Sequence, residues 1–193
     1  MKLSKRGEYA LRALINLGIA AEVGRSLVQI GELADHEGMP VKFLEQIMKD
    51  LKAAGYVSSE RGKYGGYRLS RAAVKIPIGE VVRLIDGPLA PIGCVSQTAY
   101  EKCSCPDEAH CGLRMIMLDV RNAIAGILDR YTVADIVAVT LRKMRASGIA
   151  HPFAESPTPL PGAERLYRPR RPATANKTPL EGILSSLIPE YTI

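Results

Sequence analysis

The fold is most strongly indicated by residues 40–69, which read PVKFLEQIMKDLKAAGYVSSERGKYGGYRL. Apolar residues at positions 43, 44, 47, 48 and 51 have the spacing of one helix face, which predicts a helix over Pro40–Ala54. A proline suits the start of a helix, and Gly55 suits its end. The second half predicts two short strands, Tyr56–Glu60 and Tyr67–Ser70, joined by a glycine-rich loop. The stretch therefore reads as a helix followed by a β-hairpin.

Two more helices are predicted upstream, over Gly7–Glu22 and Val28–Glu37. Two helices, a turn, a third helix and a hairpin are the order of a winged helix-turn-helix, so residues 1–71 are predicted to form a DNA-binding domain. This region holds 12 Lys/Arg and 8 Asp/Glu, and the whole chain of 193 residues has a net charge of +6. An excess of positive charge suits a polyanionic partner such as double-stranded DNA.

The third helix and the hairpin supply the candidate DNA contacts. A helix that reads the major groove must bury one face and present polar side chains on the other. Carboxylate and amide groups can pair with cytosine and adenine edges, basic side chains can reach phosphates, and glycines permit positive φ and close backbone approach to another surface. The candidates are Lys42, Glu45, Gln46 and Lys49 on the helix, with Arg61, Gly62, Lys63, Tyr64, Gly65, Gly66 and Arg68 on the wing. For the helix alone, an ordinary solvated polar face remains the alternative.

The rest of the chain divides by composition and spacing. Residues 72–91 are predicted to hold a connecting helix, residues 92–111 form a cysteine-containing loop, and residues 112–147 form two helices. The first of these carries an apolar stripe that suits a dimer seam or packing on its own domain. Its members are Leu113, Ile116, Val120, Ile124, Ile127 and Tyr131. Residues 148–193 are predicted to be a disordered tail, because 8 of the 13 prolines lie between positions 151 and 193. The fold class is thus mainly α with a small β-hairpin wing.

All four cysteines, Cys94, Cys103, Cys105 and Cys111, lie in one short segment. Such a cluster favours a metal or redox site over a disulfide framework. An iron–sulfur cluster, a four-thiolate zinc site and free or pairing thiols all remain open, and His110 is either a ligand or a solvent-facing side chain.

Several classes of function are disfavoured. No nucleophile triad and no pair of catalytic carboxylates is identifiable, so neither an enzyme nor a small-molecule substrate is expected. No P-loop is present, because no Gly-Lys-Ser/Thr follows the glycines. The chain lacks a secretory signal and a long apolar run, which predicts a cytoplasmic protein without a membrane span.

Taken together, several segments resemble the Rrf2 family of bacterial transcription regulators. They are MKLSKRGEYALRAL at 1–14, FLEQI at 43–47, LKAAGYVSS at 51–59, RGKYGGYRL at 61–69, CGLR at 111–114 and LDRYTVADI at 128–136. The resemblance implies a homodimer that binds a dyad-symmetric operator. It also implies an iron–sulfur cluster, [2Fe–2S] in preference to [4Fe–4S], that reads iron or cluster supply, redox state or nitric oxide.

The same resemblance implies three cysteine ligands and one other. Cys94, Cys105 and Cys111 fit the three positions best, with Cys103 as the alternative middle ligand. The fourth ligand is then Glu8 or His110, although a first-turn glutamate such as Glu8 also suits the helix dipole alone. This sequence departs from the family pattern in two ways: the spacing between Cys94 and the next cysteine ligand is longer than usual, and Cys103 is an additional cysteine. A cluster-free regulator with a thiol switch or zinc site, and a protein-interaction adaptor, are the alternatives.

Overall fold

The structure is a computed structural model that describes residues 2–150 and residue 153. Its α-helices and its β-hairpin follow one another in the predicted order. They are α1 (Lys5–Glu22), α2 (Ile30–Glu37), α3 (Val41–Ala53), β1 (Val57–Glu60), β2 (Gly66–Leu69), α4 (Ile78–Asp86), α5 (Gly112–Arg130) and α6 (Val133–Ala146). Short 3₁₀ turns lie at Ala73–Lys75 and Gly93–Val95. The mainly helical fold class with a small hairpin is confirmed.

Helix α1 is the centre of the core. The hydroxyl of Ser4 caps it by accepting a hydrogen bond from the backbone N–H of Gly7 at 3.0 Å. Its face with Ala13, Leu14 and Leu17 is almost fully buried, and α1 packs against α3, α4 and α6. Residues 1–71 are called the head. Burial of large aliphatic side chains, each contributing about 1.5–3 kcal/mol, therefore holds the head against the helices that follow it.

The hairpin has a third participant that the sequence assigned to a helix. Val28 was expected at the start of the second helix, but α2 begins at Ile30 and Val28 forms an antiparallel bridge with Tyr67. The Val28 N–H donates to the Tyr67 carbonyl at 3.0 Å, and the Tyr67 N–H donates to the Val28 carbonyl at 2.8 Å. A buried β-branched residue suits this extended position better than a helix. The wing is thereby fastened to the chain that enters α2.

Helix α4 is joined to both of its neighbours by carboxylate contacts. Asp86 at its end accepts the backbone N–H of Ser4 at 2.8 Å, which links α4 to the start of α1. Arg83 makes a bidentate pair with Asp129 of α5, with nitrogen–oxygen distances of 2.6 and 2.7 Å. A bidentate guanidinium–carboxylate pair fixes orientation as well as distance. The connecting helix thus holds α1 and α5 in a set arrangement.

Helix α5 lies on the surface and has no fully buried residue. Of the predicted stripe, Leu113, Ile116, Val120 and Ile127 are exposed, whereas Ile124 and Tyr131 are half-buried. Met115 adds to this apolar face, with 63% of its side chain exposed. The helix packs inward through Ala125 and Leu128 instead. Tyr131 at the end of the stripe also packs against the core, whereas the described residues leave Leu113, Ile116, Val120 and Ile127 exposed.

Among the described residues, no helix combines the length and the apolar character needed to cross a bilayer. Most of the predicted tail over residues 148–193 lies outside the described part of the chain. One residue of it, Phe153, belongs to the core: it is 1% exposed, its ring lies 5.4 Å from that of His36, and the guanidinium of Arg25 lies 5.7 Å from its centroid.

Candidate nucleic-acid interface and cysteine loop

Helix α3 has the two faces that groove reading requires. Leu44, Ile47, Met48 and Leu51 are completely buried. The four predicted contact residues of this helix, Lys42, Glu45, Gln46 and Lys49, are all exposed. Phe43, expected among the apolar residues of the helix, is 37% exposed and makes an edge-on contact with Tyr9, 5.8 Å between ring centroids. The exposed face thus offers amide, carboxylate and ammonium groups on one rigid element.

A basic cleft of about 530 Å³ separates this helix from the wing. Lys49 and Lys52 line one side, and Arg61 and Lys63 line the other. Glu60 is an acidic residue in the lining, and it is paired with Arg68 at 2.7 Å. Lys52 donates to the hydroxyl of Ser59 at 2.6 Å, which bridges the end of the helix to the first strand. Four cations around a cleft of this kind suit a phosphate backbone.

The three wing glycines differ in backbone conformation and in what their backbone approaches. Gly62 alone among them has a positive φ, 116°. A Cβ at Gly65 would overlap the carbonyl of Glu60, and a Cβ at Gly66 would lie 2.6 Å from the Val28 carbonyl oxygen. The close approach made by Gly65 and Gly66 is therefore to this chain's own backbone, which shapes the wing.

The remaining wing side chains divide into exposed and engaged groups. Tyr64 is 64% exposed at the tip, with the Lys63 ammonium 5.5 Å from its ring centroid. The side chain of Gln29 donates to the Lys63 carbonyl at 3.2 Å and so holds the tip against the start of α2. Arg68 is engaged by Glu60, a partner that no local pattern indicated. The tip of the wing is thus exposed to solvent, and an ion pair between its two strands stabilises the wing.

The cysteine loop joins α4 to α5, and two of its sulfurs are free thiols at its two ends. Cys94 lies in the 3₁₀ turn that packs on α5 and is 4% exposed. Cys111 is the N-cap of α5, and its sulfur accepts the backbone N–H of Arg114 at 3.4 Å.

The other two sulfurs are joined to each other. Cys103 and Cys105 form a disulfide across one intervening residue, with their Cα atoms 5.5 Å apart. The backbone N–H of Cys105 also donates to the sulfur of Cys103 at 3.3 Å. The sequence left pairing thiols open as one of several possibilities, with Cys103 and Cys105 or their neighbours as the candidates for a thiol switch.

A polar network that the sequence did not indicate shapes the loop between these cysteines. The hydroxyl of Tyr100 donates to the carboxylate of Glu108, at 2.8 Å to the nearer oxygen, and this hydrogen bond raises the pKa of Tyr100. Glu108 also lies 3.1 Å from Nε of Arg114 in the first turn of α5. The network thus connects the middle of the loop to the helix that Cys111 caps.

The two candidates for a fourth ligand are engaged elsewhere. Glu8 pairs with Lys5 at 2.8 Å and Arg12 at 3.3 Å, and the hydrogen bond from Lys5 lowers its pKa. His110 is 85% exposed and contacts Asp107 at 2.7 Å. Within residues 2–150, no three His, Cys, Asp or Glu side chains come together in an arrangement that could hold a metal ion.

Comparison with known proteins identifies the family. The Rrf2 family profile, described as an iron-dependent transcriptional regulator, matches residues 3–139. The chain belongs to the Rrf2 family of transcriptional regulators. An rrf2-like HTH-type transcriptional regulator of Rhodobacter capsulatus is 41% identical over 140 residues, covering 70% of this chain and 92% of that protein.

Solved structures of Rrf2-like regulators share the fold. The structure of CymR, the global cysteine regulator of B. subtilis, matches with a TM-score of 0.60 and 28% identity over 72% of this chain and 98% of that one. The structure of T. potens IscR matches with a TM-score of 0.57 and 25% identity over 78% of this chain and 93% of that one. These relatives are regulators and not enzymes, as predicted for this chain.

Proposed function

We propose that this Rrf2-family regulator is a homodimer that binds a dyad-symmetric operator and controls that binding through an iron–sulfur cluster on its cysteine loop. The observation that carries the proposal is the position of the loop: it connects α4 to α5 and places a free thiol at each end. A ligand that tied the loop together would act where the head meets the exposed helix.

The head supplies the DNA contacts in this proposal. The exposed face of α3 enters the major groove, where Gln46 pairs with an adenine edge and Glu45 accepts from a cytosine amino group. Lys42 and Lys49 contact bases or phosphates, while Arg61, Lys63 and Tyr64 at the wing contact backbone or minor groove. Gly65 and Gly66 keep the wing in shape through their close backbone approaches, Gly62 through its positive φ, and Arg68 through its pair with Glu60.

The exposed apolar face of α5 supplies the dimer seam. Leu113, Ile116 and Val120 are 60%, 54% and 39% exposed and follow one another at helical spacing. A monomer that leaves such a face in water forgoes burial that a second copy would provide. We expect Ile116→Asp to convert the dimer to a monomer in sedimentation velocity, whereas Asn122→Asp, also exposed on α5, should leave the dimer intact.

The donor chemistry of the loop fits an iron–sulfur cluster once the disulfide is reduced. Cys94, Cys111 and one of Cys105 or Cys103 then supply three thiolates, the ligand type such clusters take. Cys105 is the preferred middle ligand, and Glu8 or His110 remains the proposed fourth. When bound, the cluster supplies metal–sulfur bonds whose presence depends on iron supply, redox state and nitric oxide.

The chain's own contacts give a route from the loop to the DNA. Cys111 caps α5 and Cys94 lies on a turn packed against it, so holding both ends of the loop restrains α5. Helix α5 is bound to α4 by the Arg83–Asp129 pair, and α4 is bound to α1 by the Asp86–Ser4 contact. A change in loop geometry thereby alters the angle between the two heads of a dimer, and hence the half-site spacing.

The test begins with full-length protein purified under anaerobic conditions. Visible absorption with matched iron and sulfide would establish the cluster, and their ratio to protein would separate two-iron from four-iron forms. Operator affinity is then measured for cluster-loaded and cluster-free protein on a duplex selected from a random pool. We expect the two affinities to differ by about 5- to 150-fold.

Two outcomes would contradict the proposal in different parts. Equal affinities with and without the cluster would remove the sensing role and leave the DNA-binding role. A protein that stays colourless after anaerobic reconstitution would favour a cluster-free regulator that uses a thiol switch or zinc. The observation that supports this second candidate is the Cys103–Cys105 disulfide.

A further inference from the structure

A three-cysteine ligand set leaves one of Cys103 and Cys105 unused, and the structure joins these two residues to each other. Cys103 is joined to Cys105, while Cys94 and Cys111 stay free. We propose that Cys103 and Cys105 are a reversible thiol–disulfide exchange site for low-molecular-weight disulfides. When oxidised, this site withdraws the middle thiolate from the loop. Only this last step, the link to metal binding, rests on the function proposed above.

The loop that this disulfide closes is too short for the bond to stabilise the fold strongly. A disulfide stabilises a fold mainly by closing a long loop of the unfolded chain, and the gain falls as the loop shortens. Here one residue separates the two cysteines. A bond that restrains so little chain adds little to stability, and disulfides in proteins of reducing compartments are usually transient and redox-active.

Exposure separates this pair from Cys94, although not from Cys111, which is also half-buried. Cys103 and Cys105 are both half-buried, and the residue between them, Ser104, is exposed, as are Lys102 and Pro106 on either side. Cys94, by contrast, is 4% exposed. A reagent in solution therefore reaches the pair before it reaches Cys94, because exchange requires access to the sulfur.

The exchange proceeds in two displacement steps. The Cys105 thiolate attacks one sulfur of the reagent, which forms a mixed disulfide and releases one thiolate. The Cys103 thiolate, one residue away from Cys105 in the chain, then attacks the Cys105 sulfur and releases the second thiolate. Two protein thiols thus lose two protons and two electrons, and the reagent's one sulfur–sulfur bond becomes two thiols. Two equivalents of a thiol reverse the reaction.

Oxidation leaves the loop with too few ligands. Three thiolates are available in the reduced loop under either assignment of the middle ligand, but the disulfide leaves only Cys94 and Cys111. The chain can therefore pass from a metal-competent to a metal-incompetent loop without any change at the two thiols that contact α5. The switch lies in the loop, and the scaffold stays as it is.

The first experiment maps the pair in metal-free, full-length protein. The protein is equilibrated in glutathione buffers of increasing oxidised fraction, quenched with N-ethylmaleimide and digested for mass spectrometry. We expect a peptide pair joined through Cys103 and Cys105, with Cys94 and Cys111 alkylated. A bond that involves Cys94 or Cys111, or a chain that remains fully alkylated at the oxidised end, would overturn the exchange site.

The second experiment measures thiolate availability with cobalt(II) alone, which needs no added reductant. We expect the thiolate-to-cobalt absorption of the reduced protein to fall at least about tenfold after oxidation. Neither Cys103→Ser nor Cys105→Ser can form the disulfide, and the variant that keeps the middle ligand should retain its absorption after the same oxidation. Ser104→Ala, the control, should behave as the unaltered chain. Equal absorption in the two redox states, strong or absent, would overturn the control of metal binding, while the mapped pair still decides the exchange site.

Discussion

The head and the cysteine loop are built by different kinds of contact. In the head, the wing is fixed by backbone hydrogen bonds between Val28 and Tyr67 and by buried side chains of α3. The loop between α4 and α5 depends on side chains, chiefly the Tyr100–Glu108 hydrogen bond and the sulfur contacts of Cys103 and Cys111. A region held by few exposed contacts opens at lower free energy than a packed one.

Under the proposed function, this difference separates the surface that reads DNA from the loop that senses a signal. A surface that must match base edges gains from rigidity, since a small displacement loses its hydrogen bonds. A loop that must respond to a ligand or an oxidant needs two accessible arrangements. Substitutions in each region can test whether the head is rigid and the loop adjustable.

The largest effect is expected for a glycine in the head. Gly66→Ala places a Cβ only 2.6 Å from the Val28 carbonyl oxygen. This overlap disrupts the Val28–Tyr67 bridge, which attaches the wing to the chain before α2. We expect a loss of about 2 kcal/mol in the free energy of unfolding, measured by urea denaturation. Gly112→Ala, at the loop end of α5 with open space around its Cβ, is the matched control. Similar losses in the two variants would contradict the contrast.

The next effect concerns base reading. Gln46→Ala should cost about 1–3 kcal/mol in binding of the preferred duplex and relax the preference at one base pair. Iron content should stay unchanged, because Gln46 lies on α3, away from the cysteine loop. Binding to duplexes altered one base pair at a time checks the first expectation, and a uniform loss over all of them would contradict base reading.

For the wing we expect an effect that does not depend on the DNA sequence. Lys63→Ala should weaken binding to all duplexes alike and reduce the slope of log affinity against log salt by about 1, because one phosphate contact is lost. Lys75→Ala, an exposed lysine outside the cleft, is the control. An unchanged slope for Lys63→Ala would remove that contact.

The sequence predicted the exposed face of α3 because local periodicity determines it. The spacing of Leu44, Ile47, Met48 and Leu51 alone sets which face of α3 is buried, so the exposed positions follow. Val28 was misassigned because its partner, Tyr67, lies far away in the chain and a bridge leaves no periodic signal. The close approach of Gly65 and Gly66 to this chain's own backbone was not foreseen for the same reason, since only the folded backbone shows it.

The cysteine loop was less predictable. The clustering of cysteines indicated a metal or redox site, but pairing depends on loop geometry that spacing does not encode. The network of Tyr100, Glu108 and Arg114 left no trace either, because it has no repeating pattern. The regions held by irregular side-chain contacts are thus the ones that sequence reasoning described least.

A smaller effect is expected where the two regions are joined. The hydrogen bond from Arg83 lowers the pKa of Asp129 in the folded chain. A depressed carboxyl pKa contributes stability above the pKa of the unfolded chain, and that stability is lost as pH falls through the folded value. Because both side chains are partly exposed, we expect Asp129→Asn to cost about 1 kcal/mol or less at pH 7. The difference from the unaltered chain should vanish in acid, as urea denaturation at several pH values would show.

The smallest effect reports on the loop itself. The hydrogen bond to Glu108 raises the pKa of Tyr100, so this phenol should ionise above the pH of an ordinary tyrosine. Ultraviolet titration of the full chain beside Tyr100→Phe isolates its ionisation, and Glu108→Gln should return it to the ordinary range. The elevation should persist in oxidised and reduced protein if the Tyr100–Glu108 contact is part of the fixed frame. If it disappears on reduction of Cys103 and Cys105, the frame itself moves, and the adjustable region extends to the start of α5, where Arg114 meets Glu108.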